Sequence, residues 1–210
     1  MTEDRANIVT LPVKRKPHQI IFLNGPRHSG KDTAYEFIAK EYLNVRHRKF
    51  AGPLKAAAKA MFNLTDPEFK ELEATGNKKK IQPNSLFFGM SWVEVLIWLS
   101  EEVMKPKFGS AIFGGLMLTE LAKQTAARFT VITDSGSEHE ALPVINVCGP
   151  ENCHVIRMYR PGYSFAGDSR SYIFENNVPV GLNIYELHNE HEFDIFKAQV
   201  LRLTKIILGE

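Results

Sequence analysis

The sequence is poor in cysteine and contains no long apolar run. Two cysteines, Cys148 and Cys153, among 210 residues are too few for a disulfide scaffold, so we expect a reducing, cytoplasmic setting. The longest nearly apolar stretch, residues 111–118, is far shorter than the roughly 20 residues that a membrane-spanning helix requires. Residues 1–16 also lack the apolar core of a signal peptide. We therefore expect no membrane partner.

An excess of either charge is missing too. Lys and Arg total 26 against 24 for Asp and Glu, which leaves a net charge of +2. Such a balance argues against polymeric nucleic acid as a partner, although it is compatible with a basic patch around a phosphate substrate. With 44% apolar and 24% charged residues, the chain has the composition of a globular protein. We expect a flexible tail over residues 1–17 and a single domain over residues 18–210.

A buried strand, a glycine-containing turn and a helix follow one another near the start of the domain. Residues 20–23 are all apolar, which is typical of a strand buried on both faces of a parallel sheet. Residues 24–30 contain two glycines, and residues 31–43 place apolar side chains at helical spacing. This order predicts the beginning of a βα unit.

The rest of the chain alternates in the same way. Residues 50–123 are mostly helical in pattern, with a loop around the lysine run at 77–80. Residues 163–180 lack periodicity and predict a mobile loop. Alternating strands and helices predict an α/β fold with a mostly parallel central sheet flanked by helices. The remaining predicted strands are 129–133, 153–159 and 182–187, and the remaining predicted helices are 139–147, interrupted at Pro143, and 192–208.

The most specific motif is a phosphate-binding loop. Residues 25–33 read Gly-Pro-Arg-His-Ser-Gly-Lys-Asp-Thr, which fits Gly, four residues, Gly and Lys, but has Asp32 where Ser or Thr is usual. Glycines let backbone amides face a phosphate, and the following helix adds partial positive charge. Lys31 can follow the charge of a transferred phosphoryl group. Mg²⁺ could be held by Asp32 through a water or by the Thr33 hydroxyl. We expect ATP to contact Gly25, Arg27, Ser29, Gly30, Lys31, Asp32 and Thr33.

Charged side chains that follow later strands complete the predicted catalytic group. Asp134 ends a strand at the edge where α/β sheets bind ligands, so it could orient Mg²⁺ or accept a proton; its alternative role is to cap the next helix. Arg160 and Arg170 follow the 153–159 strand and could neutralise a moving phosphoryl group. Each arginine could equally be an ordinary surface residue. Arg157 is a weaker candidate because it lies within the strand.

Candidate contacts for a phosphate acceptor lie in the helical middle and just after Asp134. Cationic Lys55, Lys105 and Lys107 could hold an acceptor phosphate. Trp98, like Trp92 and Phe108, could stack on a base, although a tryptophan at helical spacing is more often part of the core. Glu138 and Glu140 could bind a sugar or base, or could face water.

Four segments together resemble the phage deoxynucleoside monophosphate kinases. Besides the Gly-Lys-Asp loop, they are Ala-Gly-Pro-Leu-Lys at 51–55, Asp134 followed by His139-Glu140, and Val-Ile with Arg-Pro-Gly across 155–162. The resemblance spreads over roughly residues 20–190. It implies a P-loop kinase fold with an acceptor-binding region at about 50–123 and a lid at about 161–180. It also implies ATP, Mg²⁺, a location in the host cytoplasm and, as a further option, a homodimer.

Two departures from the family pattern matter for function. The family commonly has Arg two residues after the strand-end Asp, where this chain has Gly136, so the cation would have to come from Arg128, Arg157 or Arg170. Residues 60–123 match poorly, which leaves the base preference open.

The predicted reaction is transfer of the γ-phosphoryl group of ATP to a deoxynucleoside 5′-monophosphate. The attacking phosphate oxygen is already ionised at pH 7, so positioning and charge neutralisation suffice. The alternatives are another small-molecule kinase on the same fold and a nucleotide-hydrolysing switch.

Overall fold

The fold is built around a parallel five-stranded sheet. A computed structural model describes residues 17–74, 78–123, 127–190 and 192–210, so nearly all of the predicted tail at 1–17 lies outside the described residues. The strand order is β2-β3-β1-β4-β5, and every neighbouring pair is parallel. This confirms the predicted α/β class. The strands are β1 Gln19–Asn24, β2 Val45–Arg48, β3 Phe129–Ser135, β4 Cys153–Tyr159 and β5 Asn183–His188.

Strand β1 lies at the centre of the sheet because both of its faces are apolar. Successive residues alternate between the two faces of a strand. Ile20 and Phe22 belong to the core on one side, whereas Ile21 and Leu23 belong to the core on the other. All four are 1% exposed or less. Covering both faces therefore requires helices on each side of the sheet.

The described residues form eight α-helices, and most of these supply that cover. Helices α1 and α8 pack together on one side, and α2, α4, α6 and α7 contribute to the core on the other. A π-helical stretch, Leu99–Met104, joins α4 to α5. The helices are α1 Lys31–Glu41, α2 Gly52–Met61, α3 Asp66–Glu73, α4 Trp92–Trp98, α5 Lys105–Phe108, α6 Ile112–Ala122, α7 Glu138–Cys148 and α8 Phe193–Leu208.

The predicted helical middle is confirmed, and hydroxyl residues mark where two of its helices begin. Thr65 and Ser91 each accept a hydrogen bond from the amide three residues later, and the glutamate there bonds back to the capping residue's amide. Such reciprocal caps satisfy amides that the first turn of a helix leaves without partners. No helix of the described residues is long and apolar enough to cross a membrane.

Strand β2 and the lysine run differ from what the sequence predicted. Strand β2 was not predicted, because Val-Arg-His-Arg has little apolar alternation; it pairs with β3 alone, and its side chains are half-buried. The lysine run forms a 3-10 helix, Lys78–Ile81, rather than a loop.

Helix α7 is not interrupted at Pro143, although proline removes one helical hydrogen bond. Helix α6 packs closely against α7 at this proline. A Cβ on Gly114 would lie only 2.4 Å from the Glu140 carbonyl oxygen and 2.8 Å from Pro143 Cγ. The two helices thus meet where one lacks a side chain, and this contact holds the proline turn in place.

Candidate functional site

The predicted phosphate loop connects β1 to α1 and needs both of its glycines. A Cβ on Gly25 would lie 2.7 Å from the Met158 carbonyl oxygen and from Ser29 Oγ. Gly30 has φ +102°, and a Cβ there would lie 2.7 Å from Asn189 Nδ2. Larger residues would therefore displace the loop from β4 or from the segment after β5.

Lys31 is buried inside this loop. Its Nζ donates to the carbonyl oxygens of Gly25 at 2.7 Å and Pro26 at 2.5 Å, and to Ser29 Oγ at 3.3 Å. Burial, followed by the charge of Arg170, lowers the pKa of Lys31 to about 8, against the opposing effect of nearby carboxylates. The loop thus holds one buried ammonium group against its own backbone carbonyl oxygens.

Asp134 links the end of β3 to the beginning of α2. Its Oδ1 accepts from the Phe50 amide at 2.8 Å and its Oδ2 accepts from the Ala51 amide at 3.0 Å. The alternative that it caps the following helix does not fit, because α7 has Ser137 at its N-cap position. Each carboxylate oxygen still has acceptor capacity for another partner.

The other two predicted metal ligands lie on the first turn of α1. Asp32 is largely exposed and pairs with Lys49 at 3.0 Å, and Thr33 is half-buried. The described residues contain no cluster of three or more His, Cys, Asp or Glu side chains that could hold a metal. Mg²⁺ commonly keeps several waters and needs only one or two protein carboxylates, and the assignment of Asp32, Thr33 and Asp134 as its ligands stays a prediction.

Arg160, which follows β4, and Arg170, which lies in the predicted lid, are both close to the phosphate loop or its surroundings. Arg160 donates from one terminal nitrogen to the His28 carbonyl oxygen at 2.8 Å. Arg170 grips Asp168 through Nε at 2.9 Å and a terminal nitrogen at 2.6 Å. Asp168 also lies 3.7 Å from Arg27 Nε. One carboxylate in the lid therefore lies between an arginine of the lid and an arginine of the loop.

The second half of the predicted lid is fastened to the sheet. Asn24, which is fully buried, donates to the carbonyl oxygens of Ser135 at 3.0 Å and Ser171 at 2.9 Å, and accepts from the Ile173 amide at 2.9 Å. Glu138 accepts from the Phe174 amide at 2.6 Å. We call residues 171–174 the anchored segment. Glu138, predicted as a substrate contact, is here engaged in holding that segment.

Two other arginines considered as replacement cations are placed differently. Arg157 donates to the Ile173 carbonyl oxygen, so it too holds the anchored segment. Arg128 pairs with Glu210 beside the beginning of β3, at the opposite end of the sheet from the phosphate loop. Of the three candidates, Arg170 is the one whose charge contributes to the lowered pKa of Lys31.

The predicted acceptor contacts are dispersed over the helical region. Lys55 pairs with Glu73, which also accepts from Trp92 Nε1 at 2.8 Å. Trp98 is half-buried against the core, and Lys107 is exposed. No comparison tests these assignments, and the roles of Lys55, Trp98, Lys105, Lys107 and Glu138 in substrate binding stay predictions.

Glu140 has the most perturbed carboxyl group near the predicted site. Burial, with the Asp134 charge adding to it, raises the pKa of Glu140 to about 7, while Lys105 and Arg170 oppose the rise. Lys105 itself pairs with Glu101 at 2.6 Å, on the π-helical stretch. The sequence suggested Glu140 as a sugar or base contact, or as a residue facing water, and nothing local indicates its burial beside Asp134.

An open groove of about 720 Å³ lies where β2 leads into α2. His47 and Lys49 line one side, Pro53 lines another, and Glu120 contributes an acidic wall. Because Lys49 also pairs with Asp32, the groove adjoins the first turn of α1. The missing prediction of β2 is the reason that sequence reasoning did not find it.

Comparisons with known proteins give likeness in shape only. No family model matches the chain, and no curated protein does. Among solved structures, a shikimate kinase from Aquifex aeolicus is 17% identical, covering 91% of this chain and all of the other, with a TM-score of 0.38. A dephospho-CoA kinase from Campylobacter jejuni is 14% identical, over 90% and 98% of the two chains, with a TM-score of 0.41. A gluconokinase from Sinorhizobium meliloti is 12% identical, over 93% and 98%, with a TM-score of 0.41.

Proposed function

We propose that this chain is an ATP-dependent kinase whose acceptor is a deoxynucleoside 5′-monophosphate. The observation that carries the kinase assignment is the buried Lys31 ammonium inside a glycine loop after the central strand. Asp134, Arg160 and the lid residue Arg170 lie at the same edge of the sheet. The four sequence segments that resemble the phage enzymes support the finer choice of acceptor.

The loop and the start of α1 provide the phosphate-binding groups. Amides in the first turn of a helix lack intrahelical partners, and no side chain of the described residues caps those of α1. They can therefore donate to phosphate oxygens. Lys31 is mostly protonated at pH 7, and it would exchange the carbonyl oxygens of Gly25 and Pro26 for oxygens of the transferred group.

Charge neutralisation falls to groups that the structure already brings to the loop. Arg170 and Arg160 supply guanidinium groups from the lid side, and such planar donors suit phosphoryl oxygens. Asp32, Thr33 and Asp134 would hold Mg²⁺, which supplies further positive charge when bound. Asp134 can do so while the hydrogen bonds that it accepts from the Phe50 and Ala51 amides keep the start of α2 close to the end of β3.

The acceptor would enter from the α2 side. The attacking phosphate oxygen is already ionised and needs no strong base. The main task of the acceptor site is therefore to orient the acceptor and to exclude water from it, rather than to remove a proton. The groove beside Lys49 offers an entrance, and Lys105 with Glu140 offers a polar wall near Asp134. A homodimer stays a prediction of the resemblance.

A coupled ADP-release assay tests this proposal. The protein would be supplied with ATP, Mg²⁺ and each of the four deoxynucleoside monophosphates in turn, beside a control without acceptor. Turnover with some monophosphates and not in the control would support the proposal and give the base preference. Turnover in the control alone would indicate a hydrolysing switch. Activity only with other small alcohols or acids would indicate another kinase of the same fold.

A further inference from the structure

The stem of Arg170 rests on a bare glycine. Gly136, two residues beyond Asp134, is buried. A Cβ there would lie 2.6 Å from Arg170 Cβ and 2.7 Å from its Cγ and Cδ. Separations below 3.0 Å are essentially never seen for real Cβ atoms, so any side chain at 136 would have to displace the arginine.

The arginine cannot easily back away, because the chain on either side is fixed. The Ser171 amide donates to the Gly136 carbonyl oxygen at 2.9 Å. Asn24 holds both the Ser171 carbonyl oxygen and the Ile173 amide. Displacing the Arg170 backbone would therefore break hydrogen bonds that hold the anchored segment to the sheet, whereas rotating the side chain would not.

The far end of the arginine is held as well. Asp168 accepts from the Arg170 amide at 3.1 Å and from its guanidinium twice. Only 28% of the Arg170 side chain is exposed. The aliphatic part of the Arg170 side chain therefore packs on Gly136, and Asp168 holds its guanidinium group. In this position the charge of Arg170 acts on Lys31.

We infer that Gly136 is a positioning residue for the proposed phosphoryl transfer. Because position 136 has no side chain, Arg170 can pack there and lie beside the phosphate loop. This inference rests on the proposed function and deepens it. Arg170 occupies the space that a side chain at position 136 would take.

A double-mutant cycle between Gly136→Ala and Arg170→Ala tests the inference. Each single variant should lower kcat by roughly 100-fold, with the KM for ATP changed by less than about threefold, because the arginine acts on the transferred group. The double variant should be no slower than Arg170→Ala alone. Gly115→Ala is the matched control: a Cβ there meets no heavy atom within 4 Å among the described residues, so kcat should be unchanged. Independent, multiplying losses would overturn the inference.

A second readout works whether or not the chain is a kinase. Phenylglyoxal labelling, mapped by mass spectrometry, should modify Arg170 slowly in the unaltered protein and faster in Gly136→Ala. Slow labelling and full kcat in Gly136→Ala would overturn the inference. If Gly136→Ala unfolds, thermal stability regained in the double variant would support the contact, and its absence would contradict it. Lack of turnover with every acceptor, together with faster labelling, would refute the proposed function and leave the packing of Arg170 on Gly136 intact.

Discussion

The two ends of the central sheet bury polar side chains in opposite ways. At the amino end, the half-buried His18 bonds the Ala127 carbonyl oxygen and Thr130 Oγ1, and the buried His154 bonds Gln19 Oε1 at 2.7 Å, although no group of the described residues bonds its Nδ1. Burial lowers the pKa of both histidines, which keeps them uncharged. At the carboxyl end, Lys31 is an ammonium within bonding distance of backbone carbonyls.

This difference separates groups that stabilise the fold from groups poised for a ligand. A buried neutral pair costs little desolvation and contributes to the free energy of folding, whereas a buried charge costs more than a typical hydrogen bond returns. Charges are therefore retained at the carboxyl end for another reason, and phosphate binding supplies one. Variants of the charged groups at the carboxyl end should reduce activity, and variants of buried neutral groups should reduce stability.

The largest effect is expected for Lys31→Ala. Removing the ammonium should lower kcat/KM by at least about 1000-fold, because Lys31 is the buried cation that would follow the transferred charge from inside the loop. The melting temperature should stay within a few degrees, since the variant also removes the cost of burying a charge. Steady-state kinetics and thermal unfolding measure both.

Lys40→Ala is the matched control for that variant, because Lys40 is an exposed lysine of the same helix. It should behave like the unaltered protein. Retained turnover in Lys31→Ala would remove the phosphate-loop assignment.

Asn24→Ala should give the largest loss of stability at the carboxyl end. It leaves the Ser135 and Ser171 carbonyl oxygens and the Ile173 amide without their side-chain partner. At about 1 kcal/mol for each hydrogen bond, the free energy of unfolding should fall by roughly 3 kcal/mol. Urea unfolding measures it. A loss below about 1 kcal/mol would show that the anchored segment is held by its other contacts.

At the amino end, His154 should make stability depend on pH. Burial lowers its pKa from 6.5 to about 4 in the folded protein. Above pH 6.5 neither state binds the proton, so stability is complete there. As the pH falls, the unfolded chain binds the proton first, and stability declines until about pH 4. The loss should be about 1.4 kcal/mol at pH 5.5 and about 3 kcal/mol near pH 4.

Unfolding curves between pH 4 and pH 8 measure this loss. His154→Leu should flatten the acid limb, whereas His188→Ala, which changes a half-exposed histidine, should leave it as it is. Equal slopes in the unaltered protein and His154→Leu would assign the acid sensitivity to other groups.

Local patterns were enough to predict the phosphate loop and most of the sheet. The loop motif is continuous in sequence, and β1 is an unbroken apolar run. Strand β2 escaped because an edge strand with half-buried arginines and a histidine carries no such pattern.

The sequence predicted an irregular loop between β4 and β5, but it did not predict how that loop is attached to the sheet. Arg170 reaches Gly136 across 34 positions of sequence, and the contact depends on hydrogen bonds made by Asn24 far upstream. Neither residue type signals a partner by itself. The same holds for Asp168, whose position between two arginines follows only from the folded path of the loop.

The smallest expected effect sharpens the comparison, because it concerns one neutral hydrogen bond at the charged end. Asn189 Nδ2 donates to the Ser29 carbonyl oxygen at 3.1 Å and lies against Gly30. Asn189→Ala should raise the KM for ATP about fivefold, the equivalent of roughly 1 kcal/mol, since it removes one constraint on the loop. The free energy of unfolding should change by less than about 0.5 kcal/mol, because the site is partly open to water. If stability fell and KM did not, this bond would belong with the neutral pairs of the amino end, and the division between the two ends would have to be drawn by burial rather than by position in the sheet.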